Sequence, residues 1–206
     1  MFSVREAFRT GWRYLNENAG FLVGVHVVAI FVQLAPQILL GDSPETRGFG
    51  AIAGTLLSFV VALGLFRIGL GIVDGESVGY SDLFSCAHLV FKYLIASILY
   101  AVIVITGLLL LLVPGAIWSA QFSQWPYLMV EHEMGPIEAL KESSRITRGA
   151  KGRLILFFIG AIILMLLGFL AIIVGAVVAY AVITVAGAYV YRQILANQPD
   201  AGEGAA

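Results

Sequence analysis

Between Lys92 and Val130 the chain runs for 39 residues with no charged side chain after the lysine, and from Leu154 to Leu195 its only charge is Arg192. A bilayer's hydrocarbon core is about 30 Å thick and takes roughly 20 helical residues to cross, so each run is about two crossings long. A helix on the surface of a soluble domain would instead show polar residues once per turn. Composition agrees: 60% of residues are hydrophobic and 12% charged, where a globular domain carries about a quarter charged. The chain therefore reads as an all-α integral membrane protein. Its formal charge of -1 leaves no basic excess for binding nucleic acid. Cys86 stands alone, and no CxxC or HExxH spacing occurs, so neither an internal disulfide nor a metal is expected, and no cofactor.

Six crossings are expected, at about 19–40, 50–73, 93–113, 116–130, 154–173 and 176–195. The first apolar run is too long for a signal peptide and reads as a retained span. Gly41-Asp42-Ser43-Pro44-Glu45-Thr46-Arg47-Gly48 reads as the turn between the first two spans. Pro114-Gly115 divides the third from the fourth as a helix stop and restart, and Val174-Gly175-Ala176 marks the reversal between the last two. Ser119, Gln121, Ser123, Gln124 and Pro126 make the fourth span poorly suited to lipid, so its polar side must face other helices or a cavity. Residues 197–206 read as a disordered tail on a single domain, 1–196.

Orientation follows from the placement of Lys and Arg. Arg5, Arg9, Arg13, Lys92, Lys141, Arg145, Arg148, Lys151, Arg153 and Arg192 all fall on one side of this scheme, Arg47 alone falls on the other, and Arg67 lies within span two. Both termini are accordingly expected in the cytosol. The segments ahead of spans one, three and five, around Ser3–Arg9, Ser81–Phe84 and Pro136–Lys141, look alike and suggest three units, each an amphipathic helix followed by a hairpin of spans. In the first, Val4, Ala7, Phe8, Gly11, Trp12 and Leu15 share one helical face, opposite Arg5, Arg9 and Arg13. Such helices are expected to lie in the cytosolic interface.

Leu112-Val-Pro-Gly-Ala, Pro126 to Glu131, Glu138-Ala-Leu-Lys-Glu-Ser-Ser-Arg-Ile-Thr-Arg-Gly-Ala-Lys-Gly-Arg and Ala188-Tyr-Val-Tyr-Arg together resemble a six-span membrane domain. It is found fused to some glycerophosphodiester phosphodiesterases and in stand-alone bacterial membrane proteins of unknown function. The resemblance implies a prokaryotic plasma (inner) membrane protein and carries over no catalytic residue. The phosphodiesterase itself would need a separate barrel of about 250 residues, which this chain does not hold.

The residues that could carry chemistry are few. Arg67 is the one formal charge well inside a span, where charge is costly and often functional, yet Asp74 lies two turns on and could pair with it. His26 could relay protons or bond a neighbouring helix. Gln121 and Gln124 either bond between helices or line a hydrophilic cavity. Glu131, His132 and Glu133 point about 100° apart on a helix and cannot converge on one ion. Neither Ser123 nor Ser143-Ser144 sits in a nucleophile motif. Lys141, Arg145, Arg148, Lys151 and Arg153 form the densest charge cluster, which serves topology alone or binds anionic lipid or a partner. These features point to a non-enzymatic membrane protein that contacts lipid, anionic lipid included, or a protein partner as a scaffold or accessory factor. The alternative is a small transporter or channel with its polar cavity along span four.

Overall fold

Glycines at closely packed positions, and prolines that among the described residues sit in first turns, Pro36 apart, shape the long apolar runs into a helical bundle. The computed structural model describes residues 3–40, 44–170 and 172–198, and among these it is all-helical without a strand. In chain order the helices are α1 (Val4–Glu17), α2 (Ala19–Leu40), α3 (Pro44–Asp74), α4 (Asp82–Ser85), α5 (Val90–Leu110), α6 (Leu112–Phe122), α7 (Trp125–His132), α8 (Pro136–Ile146), α9 (Lys151–Leu170) and α10 (Ile172–Ala196). Five segments are long and apolar enough to cross a membrane: Ala19–Pro36, Gly48–Asp74, Asp82–Leu110, Lys151–Leu170 and Gly175–Ala196. The protein is therefore a membrane protein by the length and composition of its helices.

α3 and α10 form the centre, packed together where Gly69 faces Thr184 and Ala188. α5 and α9 lie outside and turn Phe91, Ile95, Ile98, Val102 and Ile105, and Leu156, Ile159, Ile163 and Leu167, outward. A soluble protein does not expose apolar faces of this extent. α1 lies along α10, with Ala7, Gly11 and Leu15 buried and Gly11 close to the carbonyl of Val182. Its Phe8 stacks on Phe157 of α9 at 5.2 Å between centroids. Much of the expected apolar face of α1 is thus turned onto α9 and α10.

Several boundaries differ from expectation. α3 begins at Pro44, six residues before the expected start, because proline is well suited to a helix's first turn. Residues 41–43 of the expected turn lie outside the described residues. α5 stops at Leu110, and the chain turns at the extended Leu111 (φ -170°, ψ 151°), not at Pro114. Pro114 is the third residue of α6, where its missing N–H has no helical partner to lose. Gly107 and Gly115 then let α5 and α6 close on each other, since a side chain on either would collide with the other helix of the hairpin. Span four is not one helix but α6 and α7, interrupted at Ser123-Gln124 ahead of Pro126. Neither piece alone is among the five spanning segments. α9 ends at Leu170 and α10 begins at Ile172, residue 171 lying outside the described residues, so the expected reversal around Gly175 falls inside α10, where Gly175 packs against Gly168. The second interfacial helix shrinks to α4 and a 3-10 turn, Ala87–Leu89. Of the expected tail, Gln198 donates from Nε2 to the carbonyl of Ile146 at 2.9 Å, and 199–206 lie outside the described residues.

The connection from α3 to α5 folds back onto α3. Gly75 (φ +74°) ends α3 with Glu76 N–H donating to Gly71 O at 2.8 Å and Gly75 N–H to Ile72 O at 3.3 Å, the bonding pattern of a glycine-capped helix end. Further on, the backbone of Leu83 rests on Gly64 with no room for a β-carbon between them. Gly64→Ala should therefore lower stability by about 1–3 kcal/mol through overpacking. Gly20→Ala, in open space, should raise it by about 0.5–1 kcal/mol through helix propensity. Thermal unfolding of both variants in the same detergent checks the opposite signs.

Candidate functional site

The interruption between α6 and α7 leaves backbone groups without helical partners, and α8 supplies replacements. Ser143 accepts from the N–H of Gln124 at 3.0 Å and donates to the carbonyl of Gln121 at 3.2 Å. Thr147, one turn later, donates to the same carbonyl at 2.8 Å. Both side chains are fully buried, which follows from the stripe Ala139, Leu140, Ser143, Ile146 and Thr147 on the inner face of α8. The Gln121 amide bridges outward from the break: its nitrogen donates to Ser144 Oγ at 2.5 Å, and its oxygen accepts from Lys151 Nζ at 2.6 Å. Gln124 donates from Nε2 to Ser123 Oγ at 2.9 Å, and its buried Oε1 has no hydrogen-bond partner among the described residues. The polar side of the fourth segment is thus largely engaged with α8 and the start of α9.

The five basic residues of this region are dispersed. Lys151 turns inward to Gln121. Arg145 forks onto Glu142, with Nε 2.9 Å from Oε2 and Nη2 2.6 Å from Oε1, and this hydrogen bonding holds the Glu142 carboxyl below the usual carboxylate range. Lys141 and Arg148 lie exposed on α8 and just past it, and Arg153 is exposed at the start of α9.

His26 and Arg67 sit elsewhere. His26, 1% exposed, must donate from Nδ1 to the carbonyl of Leu22 at 2.8 Å, because a carbonyl only accepts. Its Nε2 lies 3.2 Å from Thr184 Oγ1, and its ring meets Tyr180 edge-on at 5.0 Å. Arg67 pairs with Glu76 at 2.8 Å, not with Asp74. Arg67 and His26 share no partner with each other or with Gln121 and Gln124, so the structure does not assemble these four residues into one site.

Asp74 belongs instead to a node that the sequence did not disclose. Arg192 near the end of α10 donates from Nε to Asp74 Oδ1 at 2.8 Å, a second N–H reaches the other carboxylate oxygen, and Nη1 bonds Glu131 of α7. Tyr191 donates to the other Glu131 oxygen at 2.5 Å. One guanidinium thereby holds together the C-terminal ends of α3, α7 and α10, where a cation also meets the negative ends of helix dipoles. Of the neighbours of Glu131, His132 does not diverge, its Nε2 lying 3.6 Å from Glu131 Oε2, whereas Glu133 finds other partners. Glu133, in the left-handed region at φ 51°, faces His88 at 3.3 Å, and its carbonyl accepts from Lys92 at 3.0 Å. Sequence separations of 118 between Arg192 and Asp74 and 61 between Arg192 and Glu131 hid the node. The only local hint was a lone charge close to the end of an apolar run.

Arg192→Gln should leave two carboxylates side by side. With the Arg192, Asp74 and Glu131 side chains about a quarter exposed, the cost should be about 2 kcal/mol, below the 3–5 kcal/mol of a fully buried pair. Asp74→Asn in the same chain should recover part of it by removing the repulsion. The midpoints of thermal unfolding in detergent give both values.

Residues 45–198 match the family model described as a protein of unknown function, DUF975. No curated protein and no solved structure matches the chain. Since the matched segment takes up well over half of the sequence and includes the interrupted α6–α7 pair, α8 and the whole Arg192 node, the chain belongs to the DUF975 family.

Proposed function

We propose that this chain is a non-enzymatic protein of the prokaryotic plasma membrane that crosses the bilayer six times. In this reading both termini lie in the cytosol, and the protein acts as a scaffold or accessory factor contacting lipid or a protein partner at its cytosolic face. The observation that carries the reading is the Arg192 node, because it puts the C-terminal ends of α3, α7 and α10 at one level. α6 and α7 run back along α5 from the Gly107–Gly115 contact at one end to Lys92 and Glu133 at the other. If α5 crosses, the α6–α7 pair returns, and its interrupted backbone is tolerable at depth because α8 covers it. An even number of crossings follows, in keeping with ten basic residues against one. The likeness to the membrane domain of glycerophosphodiester phosphodiesterases belongs to the same reading. Lys141 and Arg148, exposed on and beside a firmly held α8, offer cations to an anionic headgroup or an acidic partner.

A second reading, a small transporter or channel, is favoured by one observation: the unpartnered Gln124 Oε1 beside an unwound segment, the kind of place where transporters hold substrates.

Single cysteines in a Cys86→Ala background test the crossings. Position 141 should react with an impermeant maleimide only in inside-out vesicles, and position 48 only in intact cells; labelling of both from one side would overturn the six-crossing scheme. Ion and solute flux in proteoliposomes separates the two functions. The scaffold reading expects flux no greater than empty vesicles, whereas flux that Gln121→Ala abolishes would establish the transporter.

A further inference from the structure

A groove of about 450 Å³ runs between α1 and α9, lined by Phe8, Trp12, Ile163, Leu164 and Leu167, with Arg9 among its lining residues. Its form follows from two glycines. Gly11 brings α1 down onto Val182, and Gly160 admits the Phe8 ring, whose Cε2 would lie 2.7 Å from a β-carbon there. Ile163 and Leu167 are more than half exposed and belong to the outward apolar face of α9, so the groove opens onto the surface that a bilayer would cover. Trp12, 51% exposed, has the amphipathic ring that settles at the headgroup level.

The charge beside the groove is positive. Arg9 stands between Arg5 and Arg13, each one helical turn away, and it has no ion pair among the described residues. Arg13 lies over the Tyr14 ring at 5.4 Å; of the two acidic residues of α1, Glu6 leans on Tyr189 of α10, and Glu17 stands at the far end of the helix, one turn beyond Arg13 and two beyond Arg9. An apolar slot continuous with the lipid-facing surface and edged by a guanidinium is complementary to a molecule with an acyl chain and a phosphate, which a guanidinium grips with two parallel bonds.

We propose that the α1–α9 groove binds an anionic phospholipid, one acyl chain lying along Leu164 and Leu167 and the headgroup phosphate on Arg9. The proposal rests on the membrane reading above and names a ligand and a place for it, separate from α8. Recruitment through Arg9 adds about 1 kcal/mol near an anionic surface, which corresponds to about a five-fold preference for anionic over zwitterionic lipid.

The test uses the full chain in phosphatidylcholine vesicles in which a small, equal fraction of the lipid is brominated phosphatidylglycerol or brominated phosphatidylcholine. Bromine quenches nearby indole fluorescence, and subtracting the signal of Trp12→Phe isolates Trp12 from Trp118 and Trp125. Brominated phosphatidylglycerol should quench Trp12 at about five-fold lower mole fraction. Arg9→Gln should abolish that difference, Arg9→Lys should keep part of it, and Arg5→Gln, the same loss of charge one turn away, should leave most of it. Equal quenching by the two lipids would overturn the site while leaving the membrane placement intact. Equal losses in Arg9→Gln and Arg5→Gln would overturn it in favour of diffuse attraction. Absence of quenching by either lipid would overturn it together with the exposure of this face to the bilayer.

Discussion

A buried main-chain N–H or C=O without a partner costs several kcal/mol, and the interruption between α6 and α7 is where this chain meets that constraint. Ser143 and Thr147 meet it by bonding Gln121 and Gln124 directly. α8 is consequently part of the bundle and not a loosely attached surface helix. Its outward side chains, Lys141 among them, are presented from a fixed base. Lys151 extends the same network into the first turn of α9, so the start of α9 is tied to α6 as well.

Charge is gathered toward the ends of helices, and each group has a different task. Arg192 joins three helix ends to Asp74 and Glu131. Arg67 reaches only as far as Glu76 in the turn just beyond its own helix. Lys92 and His88 fasten the end of α7 at Glu133. Among the described residues Arg9 of α1 has no ion pair, and this is the reason a lipid phosphate is a sensible partner for it. A single basic excess counted from sequence therefore divides into structural and outward-facing parts that no count distinguishes.

The three segments that look alike in the sequence form helices of different length and placement. α1 is 14 residues long, α8 is 11 and α4 is 4. α1 packs against α9 and α10, whereas α8 covers the interrupted α6–α7 pair.

The sequence alone determined that this chain is helical and that it belongs in a membrane, because uninterrupted apolar length is a property of the chain itself. It also indicated the weakness of the fourth segment, since Ser119, Gln121 and Gln124 conflict with lipid wherever they lie. What it could not determine was where helices break: Pro114 and Pro126 mark the neighbourhood, but a proline fits inside a first turn, so the break comes earlier. Partners were illegible for a related reason. Asp74 was a neighbour of Arg67 along the chain, but the guanidinium it bonds approaches from α10, and Glu142 takes up Arg145, which charge spacing had assigned to an outward cluster. Only the packing of Gly64 on Leu83, of Gly11 on Val182 and of Gly107 on Gly115 sets the distances at which side chains meet, and those contacts join segments that local patterning cannot relate.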